Sequence, residues 1–184
     1  MKKALALLLV CLMVFSFIAC KSTDQPKVGG LPDFVMYPPT ADDVFYGVGY
    51  GKQSTFQMSR TIAMTNARAD IARQISTTIQ AAVISYAQEA GVDGGNQTIA
   101  FAESITREIT NAELNGATPI RFEQDDEGGV WTLISYPKEN FKKAAQNSFA
   151  RNEDAAFAEF KADQAMKMLD AQLNSNPTQS QPVR

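Results

Sequence analysis

The sequence predicts an α+β domain with a C-terminal helical extension, on three observations. An alternating strand occupies Val44 to Tyr50, with Gly47 and Gly49 inside it. A stretch without Pro or Gly runs from about Thr55 to Ala90 and carries helical apolar spacing. Two alternating runs then flank the turn Asp125-Asp126-Glu127-Gly128-Gly129, the pattern of a β-hairpin. The expected order is strand, long helical hairpin, two strands, helices.

Ahead of that domain, Met1-Lys2-Lys3 opens a run from Ala4 to Ala19 with no charged residue. A basic start followed by an apolar stretch and a small residue reads as a secretory signal peptide. The run is shorter than the ~20 residues a spanning helix needs. Its end, Phe17-Ile18-Ala19-Cys20, resembles a bacterial lipobox, in which the peptidase cuts between Ala19 and Cys20 and the cysteine is lipidated. Phe17 departs from that pattern, where Leu is usual. Residues 1–19 are thus expected to be removed and Cys20 to carry the lipid, which spends both cysteines of the chain (Cys11 leaves with the signal). Several acyl chains of the palmitate kind make a stable anchor, at ~0.8 kcal/mol per buried CH₂. The aspartate that retains some lipoproteins in the inner membrane is replaced by Lys21, which points to the outer membrane. The polar residues 20–30 read as a tether.

Within the domain, Val44, Tyr46, Val48 and Tyr50 share one strand face, while Phe45, Gly47 and Gly49 leave the other nearly bare, so that another backbone can approach. Ala67, Ile71, Ile75, Ile79, Ala82 and Tyr86 form one stripe on the long helix. After the break at Gly91 to Asn96, Phe101, Ile105, Ile109 and Ala112 mark a second helix, and Asn115-Gly116 is expected to end it. Thr118, Ile120 and Phe122 then alternate with Pro119, Arg121 and Glu123. The strand Val130 to Tyr136 is apolar on both sides, so it is expected to be covered on both faces, by helices or by a neighbouring subunit. A helix follows over Lys138 to Arg151. Asn152, Glu153 and Asp154 read as the N-cap and acidic first turn of a last helix to about Leu173, with Phe157, Phe160, Ala165, Leu169 and Leu173 on its apolar side and Asp163 and Lys167 as an i,i+4 pair. Residues 174–184 read as a disordered polar tail.

Composition narrows the chemistry. The 184 residues include no His, which excludes Ser-His-Asp and Cys-His nucleophile systems and histidine-ligated zinc. Without residues 1–19 the chain keeps 15 basic against 20 acidic side chains, a balance unsuited to tracking phosphates in nucleic acid. Gly47-Val48-Gly49-Tyr50-Gly51-Lys52 misses the dinucleotide fingerprint by bringing its third glycine one residue early, and it misses the phosphate loop at Tyr46 and Gln53. Asp125-Asp126-Glu127 and Asp93-Gly94-Gly95-Asn96 lack the ligand spacing of a calcium loop and read as solvated turns. Asn66, Arg68, Asp70 and Arg73 sit off the apolar stripe, where opposite charges usually pair or stay solvated. Trp131 reads as core or interface. No carboxylate pair stands out among the 20 acidic residues, so no catalytic residue, cofactor, metal or nucleotide is expected.

The segments PDFV (Pro32 to Val35), VFYGVGYG (Val44 to Gly51), NARADIARQIS (Asn66 to Ser76) and SITREITNAELNGATPIRFEQDDEGGVWTLISYPK (Ser104 to Lys138) carry a more specific likeness. In this order, with the lipobox cysteine, they resemble the Lpp-twenty lipoproteins, small bacterial membrane-associated surface antigens. The resemblance implies helices packed on a small three-stranded antiparallel sheet over residues 31–138, laid out like dodecin folds, with 139–173 as an added helical region. It implies residence in the bacterial envelope and a non-catalytic role in contacts with other envelope proteins or with itself, including structures around the flagellum. It supplies no catalytic residue. The alternative expectation is a periplasmic small-molecule-binding protein or enzyme whose ligand sits between subunits, as flavin does in dodecin-type assemblies.

Overall fold

The computed structural model describes residues 30–91, 95–111, 114, 116–153, 156 and 160–175. The signal peptide, Ala19, Cys20, the tether to residue 29, Asp93, Ala112, Asn115, Asp154, Phe157 and residues 176–184 lie outside them. The described elements are α1 (Asp33–Met36), β1 (Val44–Gly51), α2 (Phe56–Glu89), α3 (Asn96–Asn111), β2 (Thr118–Gln124), β3 (Val130–Pro137), α4 (Lys138–Asn152) and α5 (Ala162–Ser175). The three strands form one antiparallel sheet in the order β1-β3-β2, so the α+β reading holds.

Register decides which side chains meet the helices. Phe45, Gly47, Gly49 and Gly51 pair with Tyr136, Ile134, Thr132 and Val130, and all eight point to the face on which α2 lies. A side chain added at Gly47, Gly49 or Gly51 would collide with the backbone carbonyls of Ala67, Ala63 and Ser59 respectively. Those three helical residues, spaced by four, are themselves small and fully buried. The helix therefore rests on the strand backbone to backbone, as the bare face of β1 predicts.

Helix α2 begins cleanly. Thr55 is extended (φ −131°, ψ 150°), and its hydroxyl accepts from Met58 N–H at 3.3 Å, the N-cap arrangement. Its stripe Ala67, Ile71, Ile75, Ile79, Ala82 and Tyr86 is buried as expected. The far half packs against α3 through Phe101, Ile105 and Ile109, and against α5 through Ala165, Leu169 and Leu173.

The structure changes several expectations. The alternation of β2 breaks at a bulge between Pro119 and Arg121, which puts Ile120 out of register and 53% exposed and turns Phe122 toward the α2 side, opposite Thr132. Arg60 of α2 lies 4.5 Å over the Phe122 ring. Helix α3 is described to Asn111, and further on Leu114 (φ 46°) and Gly116 (φ 94°) both take left-handed conformations ahead of β2. The last helix starts at Ala162, not at Asn152. Asn152 ends α4 instead, donating to the Ser148 carbonyl at 2.8 Å and to Glu108 at 2.9 Å. Its side chain is committed to α3 and cannot cap a helix that follows. Helix α5 also runs to Ser175, two residues past Leu173. The ion pair described on it joins Asp170 to Lys142 of α4 at 2.8 Å.

Phe160 precedes α5 rather than lying on it. It is buried among Phe101, Tyr86 and Phe149, with ring centroids 4.7, 5.5 and 5.8 Å away. The Tyr86 hydroxyl accepts from Lys161 N–H at 3.1 Å, fixing that corner. The opposite face of the sheet is lightly covered. There Arg121, opposite Leu133 in register, pairs with Asp33 of α1 at 3.6 Å and lies over the Phe34 ring at 5.2 Å. Leu133 is buried and Trp131, stacked on Tyr50 at 4.5 Å, is half-buried.

Candidate functional site

Strand β1 is an outer strand, and its outward backbone groups need partners. Helix α2 supplies them from side chains spaced by four residues. Asn66 Nδ2 donates to the Tyr50 carbonyl at 2.7 Å, Asp70 Oδ2 accepts from Val48 N–H at 3.2 Å, and Gln74 Nε2 donates to the Tyr46 carbonyl at 2.7 Å. This ladder runs beside the Ala67-Ile71-Ile75 stripe, so a polar stripe next to the apolar one was the sequence signal for it. Of the charged residues singled out on this helix, Asp70 and Arg73 come together at 2.8 Å. No interaction of Arg68 enters the ladder.

Next to the ladder lies a cleft with a volume of about 500 Å³, in the size range of small-molecule sites. Its floor is Tyr46 and Val48 of β1 with Asp70 and Gln74 of α2. Val35, Pro38, Pro39 and Thr40 form one wall, Thr77 and Thr78 another, and Gln172 and Leu173 of α5 close the end. Asp70 is the single charged residue of this lining. Its Oδ1 meets Arg73 outside the cleft, and each carboxylate oxygen retains a free lone pair.

Several lining donors are already engaged. Thr77 and Thr78 hydroxyls donate to the Arg73 and Gln74 carbonyls at 3.1 and 2.9 Å, and Gln172 Nε2 donates to Ser85 Oγ at 3.4 Å. Gln74 Oε1, in contrast, is buried without a partner among the described residues, a deficit costing ~1–3 kcal/mol when nothing offsets it. The lining thus combines apolar side chains with polar groups, among them one buried acceptor left unpartnered.

The remaining sequence candidates are structural. The glycines from Gly47 to Gly51 lie within β1 and seat α2; they do not form a strand-to-helix turn. In the β2–β3 turn, Asp125 accepts from Glu127 N–H at 3.0 Å, from Gly129 N–H at 2.7 Å and from the Tyr50 hydroxyl at 2.9 Å. Burial pulls the Asp125 pKa upward, but the Tyr50 hydroxyl and the two amides outweigh it and hold it below the usual carboxylate value. The hydrogen bond to Asp125 raises Tyr50 in turn. Gly129 leaves room for this contact, because an added Cβ would crowd the Tyr50 hydroxyl and the Asp125 carboxylate and push them apart. Lys52 reaches Glu127 at 2.5 Å across the same turn.

A second polar cluster, not marked in the sequence, joins α3 to α4. Glu108 accepts from the buried Ser148 hydroxyl at 2.6 Å, from Asn152 and from Arg151. The Ser148 hydrogen bond foremost, with Asn152 and Arg151, lowers the Glu108 pKa against the opposing effect of burial. Among the described residues no group of three His, Cys, Asp or Glu is placed to hold a metal ion, and no helix is long and apolar enough to cross a membrane.

No protein family, curated protein or solved structure matches this chain.

Proposed function

We propose that this chain is a lipid-anchored envelope lipoprotein of the Lpp-twenty kind, held in the outer membrane through Cys20, with a non-catalytic role in protein–protein contacts. The observation that carries this reading is the uncharged run Ala4 to Ala19 ending in Ile18-Ala19-Cys20, followed at once by polar residues. The described domain supports it by having its polar clusters turned inward on their own partners. Asp125 and Glu108 each accept three hydrogen bonds from neighbours, which suits a structural part better than a catalytic one. Exposed Phe56, Met58 and Ile62 at the start of α2 offer apolar surface for self-association or an envelope partner.

The test is fractionation of cells expressing the native chain or Cys20→Ala. Wild-type protein is expected in outer membranes and labelled by a fatty-acid precursor, with the variant unlabelled and soluble. Equal membrane partitioning of the two would sink the proposal. Imaging in cells with and without flagella then separates a flagellum-associated role from a general envelope one.

A further inference from the structure

We propose that the cleft between β1, α2 and α5 is a binding site for a small cationic amine with an apolar body. Three observations carry this. First, charge: Asp70, whose Oδ1 already meets Arg73 at 2.8 Å, is the only charged lining residue among the described residues, so an ammonium group meets a carboxylate there and a carboxylate or phosphate ligand meets a like charge in the lining itself.

Second, hydrogen-bond balance selects the same chemistry. Thr77, Thr78 and Gln172 have their donors engaged within the protein, and Gln74 Nε2 is held by the Tyr46 carbonyl. Left over on the strip are the oxygens of Asp70, Thr77 and Thr78 and the unpartnered acceptor Gln74 Oε1, with the Thr40 and Tyr46 hydroxyls able to accept as well as donate. An ammonium group carries three donors and no acceptor, which fits this surplus. Third, Pro38, Pro39, Val48 and Leu173 surround the polar strip and give an apolar body somewhere to lie.

The geometry also disfavours an added peptide strand. The outward groups of Tyr46, Val48 and Tyr50, which such a strand would need, are bonded to Gln74, Asp70 and Asn66. The proposal does not depend on the lipid anchor, so each can fail alone.

The experiment titrates the full chain with 2-phenylethylamine and with 3-phenylpropanoate, which share an apolar body and differ in charge, following backbone amide resonances by NMR. Saturable shifts clustered at Val48, Asp70, Gln74 and Thr78 are expected with the amine only. Asp70→Asn keeps an oxygen for Val48 N–H and removes the charge; it is expected to weaken amine binding at least tenfold at unchanged melting temperature. Thr78→Phe fills the cleft and is expected to abolish saturation. Equal affinity for the carboxylate, unaltered affinity in a folded Asp70→Asn, or no saturable amine binding would each overturn the proposal.

Discussion

The two halves of α2 dock by opposite means. Over Ser59, Ala63 and Ala67 the helix sits on the glycines of β1 with no large side chain between the backbones, and polar side chains bolt its flank to the strand edge. Over Ile75 to Tyr86 it is held by branched and aromatic side chains from α3, α5 and Phe160. Close packing tolerates error in neither region. The sign of the tolerated change differs: the first half cannot accept added volume and the second cannot lose it.

Gly49→Leu tests the first half and should have the largest effect. An added Cβ alone already collides with the Ala63 carbonyl and Ala67 N–H, and both are backbone that cannot rotate away. The strand and helix must separate along their whole contact, so the loss is expected to exceed ~4 kcal/mol. Urea denaturation should find the variant unfolded or molten; a native-like midpoint would show that β1 and α2 are not seated as described. Phe160→Ala tests the second half. Removing a ring buried against three others is expected to cost ~3–5 kcal/mol with the fold retained. If Gly49→Leu proved milder than Phe160→Ala, the contrast between the halves would be broken.

This contrast was half legible in the sequence. The bare face of β1 and the 3.6-residue stripe of α2 could be read because both are periodic, and they placed the glycine seat and the core correctly. The position of Phe160 could not. A buried ring in a connection between helices has no periodic signature, and the run Asn152-Glu153-Asp154 copies an N-cap closely enough to draw the last helix ten residues too early. What decides against it is Glu108, 44 positions away, which engages the Asn152 side chain. The bulge at Ile120 was hidden for the same reason: the register of β2 is set by β3, and not by the local alternation of β2. Gln74 and Thr78 lie off the apolar stripe of α2, and nothing in their spacing signals that they share a cleft with Pro38, Pro39 and Leu173.

Glu108 provides a pH-dependent probe of the helix–helix side. Its folded pKa is lowered, so its stabilising contribution is fully present above the unfolded value of ~4.3 and disappears as pH falls through the folded value. Glu108→Ala also strands the Ser148 hydroxyl. With the carboxylate about a third exposed, the expected loss at pH 7 is ~1–2 kcal/mol, less than for a buried charged pair. Thermal melts of the two proteins should converge as the pH is taken below 4. A difference that stays constant down to pH 3 would assign the effect to packing instead of charge.

Asn66→Ala probes one bolt of the strand edge. The Tyr50 carbonyl loses its 2.7 Å donor but can turn to water, because Asn66 is exposed, so ~0.5–1 kcal/mol is expected. The sharper readout is hydrogen exchange, where the amides of β1 near Tyr50 should lose protection while those of β3 keep theirs.

The smallest effect is expected at the turn. Glu127→Gln removes the partner of Lys52, yet Glu127 is 77% exposed and Lys52 46%, so water and salt already screen that attraction. The hydrogen bond to Glu127 raises the Lys52 pKa further above neutrality, and pH 6 to 8 should leave the comparison unchanged. The turn is held from inside, by Asp125 on two amides and the Tyr50 hydroxyl, with Gly128 at φ 82° making the bend. Melting temperatures of wild type and Glu127→Gln should therefore coincide at low and high salt. A salt-sensitive drop in the variant would mean that the ion pair, and not Asp125, sets the register through which β3 presents its apolar face to α2.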